Sequence, residues 1–314
     1  MTFHDKKTPQ KPTWYFKSWF LWLFVLIAIV GIYKGVNMAK KQIKRASGFT
    51  VEKITMRDEP VYGVKDHLEE QQVVEILDQP FFYLGKGKQF FVFESADKKY
   101  VLKFFQQQRF DVKDCYGMMP EFLSSFVHSM QKKKKQLRKQ KMFKSVELAY
   151  NEVREETGLE YVHLKKSTYL DKELCTLDKR GAVVFVPLDE TQFILQKKAE
   201  FIKPMFMRLM HEGREEDAKE RLSKIFHLVT KLTKKGLYDE DGALIRNNNI
   251  GFIGDEIVYI DVGRLIEIPE REKLQHFLDV LRHLRPLHNW FKKHYPSLAV
   301  HFEDCRKEAF GELS

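Results

Sequence analysis

The segment that most constrains this chain runs from Asn249 to Gly263. Ile250–Ile253 and residues 256–260 are short runs rich in β-branched and aromatic side chains, with Gly254-Asp255 between them, a pattern that predicts a β-hairpin. Asn249 enters the hairpin, and Asp261 leaves it, followed at once by Val262-Gly263. Side-chain oxygens at the two open ends of a tight hairpin lie close together, which suits a hard divalent cation that also holds phosphates. A surface hairpin closed by an Asp-x-Gly turn has the same local pattern, so the choice rests on what else the chain carries.

Upstream, residues 81–84 and 90–93 are aromatic, strand-like runs on either side of Gly85-Lys86-Gly87-Lys88-Gln89. A dinucleotide fingerprint needs a helix directly after its glycines. These flanks predict instead a hairpin whose glycine turn lets backbone amides approach an anion. A turn at 95–98 leads into Tyr100–Phe105, an apolar strand with Lys103 in its middle. A lysine there is costly unless its charge is met or the strand points it outward.

Asn249 and Asp261-Val262-Gly263 resemble the metal-binding Asn and Asp-Phe-Gly of the protein-kinase-like superfamily. The glycine turn, Val92 and Val101-x-Lys103 are similar to that family's nucleotide-binding strands and stand in the right order, so the resemblance covers roughly residues 80–265. It implies an α+β, bilobal protein-kinase-like fold, with a β-rich N-lobe over 71–198 and a helical C-lobe over 199–314. ATP and Mg2+ are the cofactors it implies. Gly85 and Gly87 would lie over the phosphates, Val92 over adenine, Lys103 on the α- and β-phosphates, and Asn249 and Asp261 on magnesium. A helix expected from about 141 to 156 carries Met142, Val146, Ala149, Tyr150 and Val153 on one stripe, with Thr157-Gly158 at its end. In the family this helix supplies a glutamate to the lysine, here Glu147 or Glu152.

The chain also departs from the family. Phe90 stands in place of the third glycine. No His-Arg-Asp precedes Asn249: counting back lands on Leu244, whereas counting forward from an amphipathic helix expected over 215–235 lands on Asp239 and Asp241. Asp241 is thus the candidate to orient an acceptor hydroxyl, with Asp239 second; a degenerate, inactive loop is the other reading. No Ala-Pro-Glu follows Asp261, so the chain looks more like atypical, small-molecule or lipopolysaccharide kinases than regulated protein kinases.

A net charge of +10 favours acidic partners, whether phosphates, anionic lipid or nucleic acid. The basic block over 131–144 has hardly any aromatic residues to stack on bases, which disfavours nucleic acid. A solvated helix face is one reading of it, contact with anionic headgroups another. Cys115, Cys175 and Cys305 are odd in number and far apart, so neither a disulfide framework nor a zinc site follows, and a reducing compartment fits.

Residues 18–33 carry no charge and would rise about 24 Å as a helix, short of a ~30 Å hydrocarbon core. Lys17 and Lys34 can snorkel, while Trp14, Tyr15, Trp19 and Trp22 suit the interface. No small-x-small cleavage site follows, so residues 1–34 read as a membrane anchor and 35–70 as a juxtamembrane linker. Lys34, Lys40, Lys41, Lys44 and Arg45 outweigh Lys6, Lys7, Lys11 and Lys17, which sets the C-terminal body in the cytoplasm of a single-pass inner-membrane protein. The expected function is a membrane-anchored ATP-dependent phosphotransferase acting on a small molecule, a lipid or lipopolysaccharide, or a protein. The alternative is a pseudokinase scaffold or a nucleotide-binding protein without catalysis.

Overall fold

The computed structural model describes residues 22, 25–29, 31–32, 34, 48–57, 70–111, 121–240 and 249–313. The chain divides into two units, Met1–Gly48 and Phe49–Ser314. In the first, the described residues between Trp22 and Lys34 are helical, and the side chains of Trp22, Leu26, Ile27, Ile29 and Ile32 are exposed. Among the described residues, no helix is long and apolar enough to cross a membrane.

The second unit is α+β. Its main sheet contains β1 (Phe81–Lys86), β2 (Phe90–Ser95), β3 (Tyr100–Phe105), β4 (Leu159–His163), β5 (Glu173–Leu177), β6 (Val183–Pro187) and β7 (Phe193–Lys197). They lie in the order β4-β7-β3-β2-β1-β5-β6, antiparallel except where β5 joins β1 in parallel. Successive side chains of a strand point to opposite faces, and both faces of this sheet are covered. Phe91, Phe93, Leu102, Phe104, Phe193 and Leu195 pack with Phe49, Ile54 and Val73, the last on α1 (Glu70–Ile76). Phe90, Phe105 and Ile194 face the other way, into the core shared with the helices.

The helix expected over 141–156 is α2 and runs from Glu121 to Glu152. It therefore takes in the whole basic block. Lys, Gln, Arg, Leu and Met all have high helix propensity, so the block continues the helix without an apolar stripe of its own. The chain breaks helical geometry at Val153 (φ −142°, ψ 40°) and adds one turn, α3 (Arg154–Thr157). Gly158, at φ +62°, caps that turn with bonds to the carbonyls of Arg154 and Glu155. Phe143 stacks on Phe105 at 4.9 Å, which fastens α2 to the sheet.

The helical part comprises α4 (Ile202–His211), α5 (Glu215–Lys234), α6 (Lys273–His283), α7 (Arg285–His294) and α8 (Pro296–Gly311). The stripe expected on α5 is its core face: Ala218, Leu222, Ile225, Phe226, Val229 and Leu232 are buried, and Gly236 at φ +73° ends the helix. Small strands join the two parts. β8 (Glu200–Phe201) follows the main sheet and pairs with β10 (Ile250–Ile253). β9 (Leu237–Asp239) pairs with β12 (Leu265–Glu267), and β10 pairs with β11 (Glu256–Tyr259) as the expected hairpin. Gly254 takes the left-handed conformation at its tip, where Arg221 holds the Gly254 carbonyl at 2.7 Å and Asp255 Oδ1 at 2.5 Å.

Candidate active site

The site begins with a cross-strand row on the core-facing side of the sheet. A β-bulge between Tyr83 and Gly85 shifts the register so that Gly85 lies opposite Val92; Val92 lies opposite Lys103, and Lys103 opposite Ile194. Three residues expected to bind nucleotide are thus neighbours in one row. Gly87 closes the β1–β2 turn by donating its N–H to Phe90 O at 2.9 Å. Buried Gln106 braces that turn, its Nε2 donating to the carbonyls of Gly87 and Phe90 at 3.0 and 2.9 Å.

Lys103 is 8% exposed, and its Nζ donates to the Ile260 carbonyl at 2.7 Å. Burial depresses its pKa to about 8, against an upward pull from the negative charge of Asp261. The row is thereby tied to the open end of the β10–β11 hairpin. There the Ile260 N–H donates to the Asn249 carbonyl at 2.6 Å, so Asn249 is bonded to the residue directly before Asp261. Asn249 is 9% exposed and Asp261 is half-buried.

The expected pairing of Lys103 with a glutamate of α2 is not formed. Its hydrogen bond goes to the Ile260 carbonyl, and the carboxylate whose charge acts on it is Asp261, not Glu147 or Glu152. α2 meets the site by another residue: Ser145, wholly buried, donates its hydroxyl to Val262 O at 2.6 Å. Glu147, half-buried, stands beyond it on the same helix.

Asp239 lies in β9, opposite Leu265, and is 3% exposed. Its charge and that of Asp261 both reach Tyr259, whose phenol pKa is driven well up, first by burial and then by these two carboxylates. Asp239, Tyr259 and Asp261 therefore form one acidic neighbourhood under the hairpin's open end. Asp241 lies outside the described residues.

Sequence reasoning missed a contact that closes the site from above. Gln89, on the β1–β2 turn, donates Nε2 to Gly263 O at 3.3 Å, and a Cβ on Gly263 would collide with Gln89 Oε1. At Gly263 a side chain would have to displace the end of Gln89 that rests against it. The adjacency of Gln89 to the two glycines was the available signal, but nothing local to it points to residue 263.

No family model and no curated protein matches the chain. Among solved structures it is similar to the bifunctional kinase-methyltransferase WbdD, at 15% identity and a TM-score of 0.32, over 70% of this chain and 43% of that one. It is also similar to the Rio2 kinase of Chaetomium thermophilum, in an ADP/Mg2+-phosphoaspartate complex, at 11% identity and a TM-score of 0.30. That match covers 73% of this chain and 70% of the other. The chain thus spans under half the length of WbdD.

Proposed function

We propose that the second unit is a kinase-like phosphotransferase that binds ATP with Mg2+ between its main sheet and the β10–β11 hairpin. The observation that carries this reading is Lys103: a lysine buried in an apolar strand, held against the strand end that presents Asp261 and Asn249. Such a buried cation is destabilising by itself and is met only in part, by one carbonyl in contact and the charge of Asp261. A polyphosphate beside it would complete the pairing. Among the described residues no cluster of three or more His, Cys, Asp or Glu is placed to hold a metal. A cation here would therefore rely on Asp261, Asn249 and the phosphates together, which is the mixed donor set that Mg2+ accepts. Bound Mg2+ would offset phosphate charge during transfer. Lys103 would orient the phosphates, and Gly85 and Gly87 would let backbone approach them.

A second reading, binding without turnover, is favoured by the contact of Gln89 with Gly263, which closes the glycine turn onto the Asp-Val-Gly segment. Release of the ATP γ-phosphate by purified full-length protein separates the two. Release above that of an Asp261→Asn variant supports transfer; Mg–ATP binding with no release supports the second reading.

We also infer that the apolar run near the N-terminus anchors the chain in a membrane, with residues 35–314 in the cytoplasm of a single-pass inner-membrane protein. The exposed Trp22, Leu26, Ile27, Ile29 and Ile32 support this, since apolar side chains all round a helix need an apolar surround.

A further inference from the structure

Beside Gly263, a cavity of ≈450 Å³ opens between the β1–β2 turn, the turn after β3, α2 and the Asp-Val-Gly segment. Its lining carries Lys88, Arg109, Lys135, Arg138, Lys141 and Arg264 against one carboxylate, Glu240. These cations come from four separate stretches of chain, so they are not the periodic face of one charged helix. Internal contacts engage three of the six, Arg264 among them. Lys141 pairs with Glu240 at 2.9 Å, and Lys135 donates to the carbonyl of Asp111, whose carboxylate is taken by Arg57 at 2.5 Å. Lys88, Arg109 and Arg138 have no carboxylate at ion-pair distance among the described residues. The excess is felt nearby: Lys86 has its pKa lowered by burial and then by the positive charges of Lys53 and Arg109.

Lys88, Arg109 and Arg138, converging without a carboxylate of their own, are held together at an electrostatic cost that an anion removes. Arginine and lysine donors mixed in one recess suit phosphate oxygens, and the volume lies within the ~300–1,000 Å³ of small-molecule sites. We propose that this cavity binds a soluble, multiply phosphorylated small molecule, at a site distinct from the Lys103 cleft. With the phosphotransferase reading above, on which this last step rests, the shared Gly263 wall makes it the place where an anionic acceptor is held. Binding itself does not depend on that reading. The three α2 residues are also the part of the basic block that serves a site, whereas Lys132, Lys133 and Lys134 are exposed on the same helix and do not line it.

The test is calorimetric titration of full-length, detergent-solubilised protein with inorganic tripolyphosphate, without magnesium. The Arg138-dependent binding is expected to persist in Lys103→Met, whatever that variant loses at the cleft. Arg138→Glu should weaken binding about tenfold or more, Arg138→Lys should recover most of it, and Lys132→Glu should have little effect. Loss of binding in Lys103→Met with none in Arg138→Glu would place the anion in the cleft instead and overturn the proposal. Equal weakening by Arg138→Glu and Lys132→Glu would reduce the cavity to a diffuse field and also overturn it. So would Arg138-dependent binding to phosphatidic-acid vesicles by protein that ignores tripolyphosphate. Tripolyphosphate binding by a protein that fails to bind an ATP analogue would leave this site standing and remove the kinase-like reading.

Discussion

The Lys103 ammonium donates to the Ile260 carbonyl at 2.7 Å, across 157 positions of sequence. Through this bond a strand of the main sheet grips the end of the hairpin that presents Asp261. The contact is costly for the fold, because the lysine is buried, and useful for a polyanion, because the cation is already in place.

The cost gives a pH-dependent prediction. A lysine whose folded pKa, about 8, lies below its ordinary 10.5 destabilises the fold by about 3 kcal/mol whenever both states are protonated, that is below pH 8. The penalty fades as pH rises from 8 to 10.5. Lys103→Met keeps the volume and removes the charge, at about 1 kcal/mol for the carbonyl left without its donor. In urea unfolding at pH 7 the variant should equal or exceed wild type, and its advantage should shrink by pH 10. A variant destabilised by several kcal/mol at both pH values would contradict this account of Lys103.

Nucleotide phosphates beside Lys103 should restore its proton. Binding near pH 8.5 is therefore expected to take up protons from the buffer, in wild type but not in Lys103→Met. Titrations in buffers of different ionisation enthalpy read the uptake directly. Heats that do not depend on the buffer would mean that the phosphates do not meet Lys103.

Gly251 tests the seating of the hairpin. A Cβ there would lie 2.6 Å from the Glu200 carbonyl, a backbone atom that cannot swing aside. Gly251→Ala should cost about 2–3 kcal/mol, by parting β8 from β10. Unfolding within a few tenths of wild type would show that the strands are not so closely packed.

At Gly263 the obstacle is the flexible end of Gln89, so the two positions should be coupled. Gly263→Ala is expected to cost about 1 kcal/mol in wild type and clearly less in a Gln89→Ala background. Additive effects in the double-mutant cycle would argue that Gln89 does not rest on the glycine.

The anchor has a cellular test. Full-length protein should stay with membranes through carbonate extraction, and deletion of residues 1–34 should release it. Recovery of the full-length chain in the soluble fraction would remove the anchor.

Much of the fold was legible because its signals are local. The runs around Gly254-Asp255 carry both strand propensity and turn chemistry, and the hairpin forms where they place it. Lys103 stood out because a charge inside an apolar strand must be answered somewhere. Its partner was not legible: Glu147 satisfied the family pattern, but the choice between it and Ile260 with Asp261 depends on how α2 docks. Docking is settled by Phe143 on Phe105 and by Ser145 on Val262, contacts between distant residues that no window of sequence contains. The start of α2 at Glu121 was hidden for the opposite reason. Its basic stretch has propensity but no apolar period, so a search for periodicity passes over it.

Asp261 and Lys103 are expected to serve one bound Mg–nucleotide, which titration with a non-hydrolysable ATP analogue, with and without magnesium, reads out. Wild type should bind more tightly with magnesium. Asp261→Asn should lose most of that gain, several-fold or more, because a carboxylate ligand is replaced by a neutral amide. Lys103→Met should weaken binding in both conditions. Wild-type protein that does not bind the analogue, or an Asp261→Asn variant that keeps the full magnesium dependence, would rule out a shared Mg–nucleotide site at Asp261 and Lys103.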